Sequence, residues 1–152
     1  MGNICRSPAA EGIFRKFVDD AKLDNIISVD SSGTIEYHSG EMPDARMRQH
    51  AKVRGYNLDH PARQFNPEQD FEQFDYIITM DNENYTDILR MDKKYLYFKK
   101  VFKMADFISD KNINEVPDPY YGGAEGFEFV IDILEDGTTN LLNKIKEDLE
   151  RS

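Results

Sequence analysis

Behind the first eight positions, Ala10, Ile13, Phe14, Phe17, Val18 and Ala21 recur at helical spacing and predict an amphipathic helix over residues 8–22. Ser7 followed by Pro8 reads as its N-cap and first helical residue. The β-branched run 26–30 predicts a strand that ends in the polar turn Ser31-Ser32-Gly33-Thr34. A second helix is expected from Asp44 to a C′ residue at Gly55. Asn66-Pro67 opens a short helix, and 74–80 is the next strand. Asp81-Asn82 begins a helix carrying Tyr85, Ile88 and Leu89, and 99–104 reads as a third strand. After a Pro-rich loop at 116–123, apolar positions from Phe127 to Leu149 mark a long terminal helix.

Strands alternating with helices imply an α/β fold, a parallel sheet with helices on both faces. Ligands of such sheets bind beyond the carboxyl ends of the strands. Asp30-Ser31 and Asp81-Asn82 fall at those ends. The first residues, Met1-Gly2-Asn3-Ile4-Cys5-Arg6-Ser7-Pro8, read as a phosphate-binding loop: a Gly-rich turn, a cation and a helix start. Arg6 can grip a phosphate with a bidentate fork. The expected organisation is one domain over residues 1–152, with no repeat and no low-complexity linker.

Composition narrows the partners. With 39% hydrophobic and 32% charged residues the chain is ordinary for a globular protein. A net charge of −10 argues against nucleic acid or an anionic membrane as the main partner. It leaves an anionic substrate open, because a local nest with one arginine can override a distant field. One cysteine excludes an internal disulfide and fits a reducing cytoplasm. Neither a membrane span nor a signal peptide is expected.

Gly2 to Ser7, Val29-Asp30-Ser31, Ala62-Arg63-Gln64, the run from Phe74 to Ile77 with Met80-Asp81, and Asp118-Pro119-Tyr120-Tyr121-Gly122 together resemble the low-molecular-weight protein tyrosine phosphatases, nearly end to end. The resemblance implies a flavodoxin-like fold and hydrolysis of aryl phosphates through a phosphocysteine, with no metal or other cofactor. Residues 2–7 (Gly2, Asn3, Ile4, Cys5, Arg6, Ser7) would bind phosphate or another oxyanion. Asp118 would protonate the leaving phenol, whereas its Pro-Asp-Pro setting alone fits a turn aspartate equally well. Tyr37, Tyr120 and Tyr121 would wall the slot of a phosphotyrosine protein or small aryl phosphate, although aromatics bury large areas regardless of function. Ser7 would also bond the nucleophilic sulfur, and Asn3 and His60 would brace the loop. Ser31 and Asp81 are expected to hold loop geometry without catalytic roles. Arsenate reductases share the fold but generally lack the Asp-Pro-Tyr-Tyr segment.

In that family the nucleophile is the first residue of a Cys-x5-Arg signature, and six residues back from Arg6 falls immediately before Met1. The apolar strand leading into that cysteine is likewise not in the sequence. Four or so buried apolar side chains at roughly 1.5–3 kcal/mol each make such a strand worth about 6–12 kcal/mol. The natural protein is therefore expected to be longer, with Met1 internal, and the chain alone to be inactive. Cys5, adjacent to Arg6, sits wrongly to substitute. Without the nucleophile, a phosphate-binding pseudophosphatase is the second expectation.

Overall fold

A computed structural model describes residues 5–34 and 40–152; the Tyr121 side chain lies outside that description. Its centre is a parallel pair of short strands, β1 (Ile77–Thr79) and β2 (Val101–Lys103), in register Ile77 to Val101, Ile78 to Phe102 and Thr79 to Lys103. Alternation along β1 sends successive side chains to opposite faces. Ile77 joins Val101, Phe65, Phe71 and Ile88 beneath α3 (Pro67–Gln73) and α4 (Asn82–Met91). Ile78 packs on the other side with Phe14 of α1 (Arg6–Asp20) and Leu141 and Ile145 of α5 (Gly123–Arg151). Ile13, Val130 and Leu134, all at 0% exposure, carry the core shared by these two long helices.

Short polar caps fix where the helices begin. Asp44 accepts from Arg46 N and Met47 N at the head of α2 (Ala45–Val53). Asn66 accepts from Glu68 N ahead of Pro67, and Asp81 accepts from Asn84 N at α4. These are the expected starts, because an Asx side chain satisfies an amide that the helix cannot. The start of α1 differs from expectation. The helix begins at Arg6 with Cys5 as its cap residue, since Ala9 N already donates to Cys5 O at 3.2 Å. Ser7 is therefore inside the first turn, where Pro8 is tolerated because first-turn amides have no helical partner. The helix α5 begins at Gly123, four residues before Phe127, where the apolar pattern starts. It is docked there by a close approach: a Cβ on Gly126 would lie 2.8 Å from Pro119 O.

The expected strand at 26–30 is not formed. Among the described residues, no backbone–backbone hydrogen bond joins 28–30 to another segment; side chains reach in instead, Arg15 Nη2 donating to Val29 O at 2.8 Å and Arg63 Nε to Asp30 Oδ2 at 2.9 Å. A β-branched run becomes a strand only against a ladder partner. Here the space towards β1 is a cavity of about 660 Å³, lined by Phe14, Ile27, Val29, Ile78, Leu141 and Ile145 among others. The nearest sheet-like contact is an isolated parallel bridge between Gly33 and Gln64. Among the described residues, no helix is long and apolar enough to cross a membrane.

Candidate active site

Three chain segments meet at the start of α1. Arg6 Nη1 donates to Val116 O at 2.7 Å, and Nη2 lies 2.9 Å from Asp81 Oδ2. Both side chains are largely buried, at 10% and 14% exposure, so the pair is held where water screens little. Asp81 serves two elements at once, since its Oδ1 accepts from Asn84 N at 2.7 Å to cap α4. Val116 N donates to Met80 O at 2.8 Å, which ties the Pro-rich loop to the carboxyl end of β1. The guanidinium is thus oriented from two sides before any ligand arrives.

The same loop turns back over Cys5. Asp118 caps the short 3-10 turn Pro119–Tyr121, its Oδ1 accepting from Tyr120 N at 3.1 Å. Tyr120 is half-buried and its hydroxyl is hydrogen-bonded to the Cys5 sulfur. Burial, reinforced by the charges of Asp44 and Asp118, pushes the Cys5 thiol up to about 12; Arg6 and the Tyr120 bond oppose this only in part. The Tyr120 hydroxyl is likewise raised, first by burial and then by Cys5 and the two carboxylates. Burial pushes Asp44 up too, but hydrogen bonds from Arg46 and Met47 outweigh it and hold its carboxyl below the ordinary value. Arg46 lies with its Cζ 5.3 Å from the Tyr120 ring and 5.1 Å from the Phe127 ring.

Arg6, Asp81, Asp118 and Tyr120 are therefore assembled around the head of α1, with Ser7 in its first turn. Ser31 and His60 are held by a different group. Ser31 Oγ donates to Glu11 Oε1 at 2.5 Å, while His60 Nδ1 lies 3.1 Å from Glu11 Oε2. Glu11, 7% exposed, also takes Arg15 Nη2 at 2.8 Å. Ligand atoms of Glu11, Asp30 and His60 lie within 4.8 Å of one another, a spacing that suits a metal ion. The Arg15 guanidinium already supplies the positive charge there, with Nη1 3.3 Å from His60 Nε2. Gly2, Asn3, Ile4 and Tyr37 lie outside the described residues, as does the Tyr121 side chain.

Asp44 and Arg46 were not legible as site residues. Their sequence signal is that of a helix cap and a surface cation, and only the packing of α2 brings them to Cys5 and Tyr120. The Val116 carbonyl has no side-chain signal at all. Nor is the large cavity the site: it touches Ser7 and Met80 but is not lined by Arg6, Asp118 or Tyr120.

An α/β domain that presents an anchored arginine at a helix head, beside a turn-borne aspartate, is of the kind that handles oxyanions. The sequence profile described as Low molecular weight phosphotyrosine protein phosphatase matches residues 1–151. The Schizosaccharomyces pombe low molecular weight phosphotyrosine protein phosphatase is 39% identical over 146 residues, 95% of this chain and 92% of that protein. A crystal structure of a protein tyrosine phosphatase from Entamoeba histolytica aligns with a TM-score of 0.90 at 47% identity, covering 97% of this chain and 94% of that one. YfkJ from Bacillus subtilis aligns with a TM-score of 0.90 at 36% identity, covering 97% and 91%. The chain belongs to the low-molecular-weight protein tyrosine phosphatase family.

Proposed function

We propose that this site serves hydrolysis of aryl phosphate monoesters, phosphotyrosine in proteins among them, through a phosphocysteine. The observation that carries the reading is the Arg6 guanidinium, fixed between Asp81 and Val116 O, in the helix turn that also meets the Asp118 loop. In the first step a thiolate attacks phosphorus, the bond from phosphorus to the phenolic oxygen breaks, and Asp118 gives its proton to that oxygen. In the second, Asp118 takes a proton from water as the water attacks phosphorus and the thiolate leaves. Arg6 and the first-turn amides take up the charge on the phosphoryl oxygens. Tyr120 walls the aryl side. A reducing cytoplasm suits a thiol working in this way.

The 152-residue chain carries one cysteine, and that residue is unsuited to attack. Cys5 is 6% exposed and its thiol is held protonated at neutral pH. The chain alone is therefore expected to bind oxyanions without covalent turnover. The test places an apolar strand ending in cysteine ahead of Met1 and follows p-nitrophenyl phosphate. Turnover should appear, and Asp118→Asn should lower it by about 10²–10⁴-fold, the usual yield of a general acid. A folded, extended chain that binds phosphate but never turns over would favour the second reading, an oxyanion-binding pseudophosphatase. Thiol-dependent arsenate reduction indifferent to Asp118 would point to the reductase branch of the fold.

A further inference from the structure

We propose that the loop 93–98 is a docking tip for anionic bilayer surfaces. Between residues 90 and 100 the chain carries Arg90, Lys93, Lys94, Lys99 and Lys100 against a single acid, Asp92, a cationic island in a chain of net charge −10. At its crest Tyr95, Leu96 and Phe98 are 77%, 67% and 48% exposed. Apolar side chains held in water side by side on a loop need a reason, because isolated ones are common but clusters mark contact surfaces.

The loop is built to present them. Asp92, 4% exposed, accepts from Leu96 N and Tyr97 N at 2.9 Å each, and its carbonyl takes Tyr95 N at 3.1 Å. Tyr95 is held at φ 56, a left-handed conformation that an aromatic residue rarely adopts. Inward, Tyr97 stacks on Phe71 with centroids 5.3 Å apart, and Lys100 Nζ donates to Phe71 O at 2.8 Å. Tyr97 and Lys100 anchor the segment while Tyr95, Leu96 and Phe98 are turned out, with Lys93, Lys94 and Lys99 exposed beside them.

Aromatic and leucine side chains flanked on both sides by lysine fit a headgroup layer, where the rings enter the interface and the ammonium groups meet phosphate. The opposite charge elsewhere on the chain is no obstacle, since at physiological salt it is screened beyond about 8 Å. The loop leads into the amino end of β2, whereas Asp81 follows the carboxyl end of the parallel strand β1. A docked molecule therefore turns its candidate site away from the bilayer. The docking is independent of what that site catalyses.

Vesicle co-sedimentation tests it, with phosphatidylcholine alone against phosphatidylcholine containing phosphatidylserine. Binding is expected only to the anionic vesicles, and it should fall as salt rises from roughly 0.05 to 0.5 M. Each lysine near an anionic surface is worth about 1 kcal/mol, so Lys93→Gln with Lys94→Gln should weaken partitioning roughly 25-fold. Leu96→Ser with Phe98→Ser should weaken it as well, and neither pair should move the melting temperature. Absence of binding, equal binding to both vesicles, or indifference to both pairs overturns the proposal. Retention on polyglutamate without vesicle binding overturns it in favour of an acidic protein partner.

Discussion

Asparagine at position 81 separates two jobs that one carboxylate performs. Its Oδ1 caps α4 and its Oδ2 pairs with Arg6, and Asn keeps the first while removing the second. Taking away one partner of a buried ion pair costs about 3–5 kcal/mol, because the remaining charge stays desolvated and unmatched. Residual exposure of 10% and 14% lets some water reach Arg6, which argues for the lower end, about 3 kcal/mol. For a domain of this size, 1 kcal/mol moves the melting temperature by roughly 2–4 °C, so Asp81→Asn should melt about 6–12 °C below the parent. Asp81→Ala loses the cap too, a further ~1 kcal/mol. Replacing Arg6 by Met in the Asp81→Asn background should recover part of the loss, since no bare charge then remains. Urea unfolding followed by circular dichroism measures all four. If Asp81→Asn stays within about 1 kcal/mol of the parent while Asp81→Ala falls only by the cap, the pair contributes nothing and the reasoning fails.

Three further outcomes follow from the thiol and the core. Cys5 should react with iodoacetamide at about pH 8 at least tenfold more slowly in the folded chain than in urea, since only the thiolate attacks; equal rates would refute its burial. With the thiol raised from 9.0 to about 12, the folded state favours the protonated form, so this contribution to stability is complete below about pH 9 and is lost between about pH 9 and 12. Leu134→Ala in the α1–α5 core should cost about 2–5 kcal/mol, whereas Val29→Ala on the cavity wall should cost less than about 1 kcal/mol, because its outer face already lacks neighbours. Equal losses in urea melts would mean the cavity is filled.

Where the chain carried its own punctuation, the fold was readable. Asp44, Asn66 and Asp81 each satisfy amides that their helices leave open, and Gly55, at φ 90, closes α2 as a left-handed C′ residue. These are local events, settled within a few residues. The run at 26–30 carries an equally strong local signal, yet it forms no strand. Its propensity is a statement about neighbours, and the neighbouring position is the cavity. Strands 74–80 and 99–104 likewise shrink to three residues each, since only the stretch where β1 and β2 face each other can exchange hydrogen bonds. Both the parallel pairing and the two helical faces followed from the alternation of elements; the strand lengths did not.

Arg6 could be singled out by residue type and spacing and Asp118 only through the family resemblance, but the electrostatics of Cys5 could not be read from either. A cysteine at a helix head beside an arginine reads as an acidified thiol, because the helix dipole and the guanidinium both favour the thiolate. The dipole is worth at most about 2 kcal/mol at such a buried position. Against it stand burial to 6% exposure and two carboxylates, Asp44 from α2 and Asp118 from the Pro-rich loop, which arrive only when the chain is folded. The net outcome, from 9.0 to about 12 even with Arg6 and Tyr120 opposing, is of the order of 4 kcal/mol and has the sign that burial and the carboxylates set. Motif position alone would have assigned Cys5 the opposite behaviour.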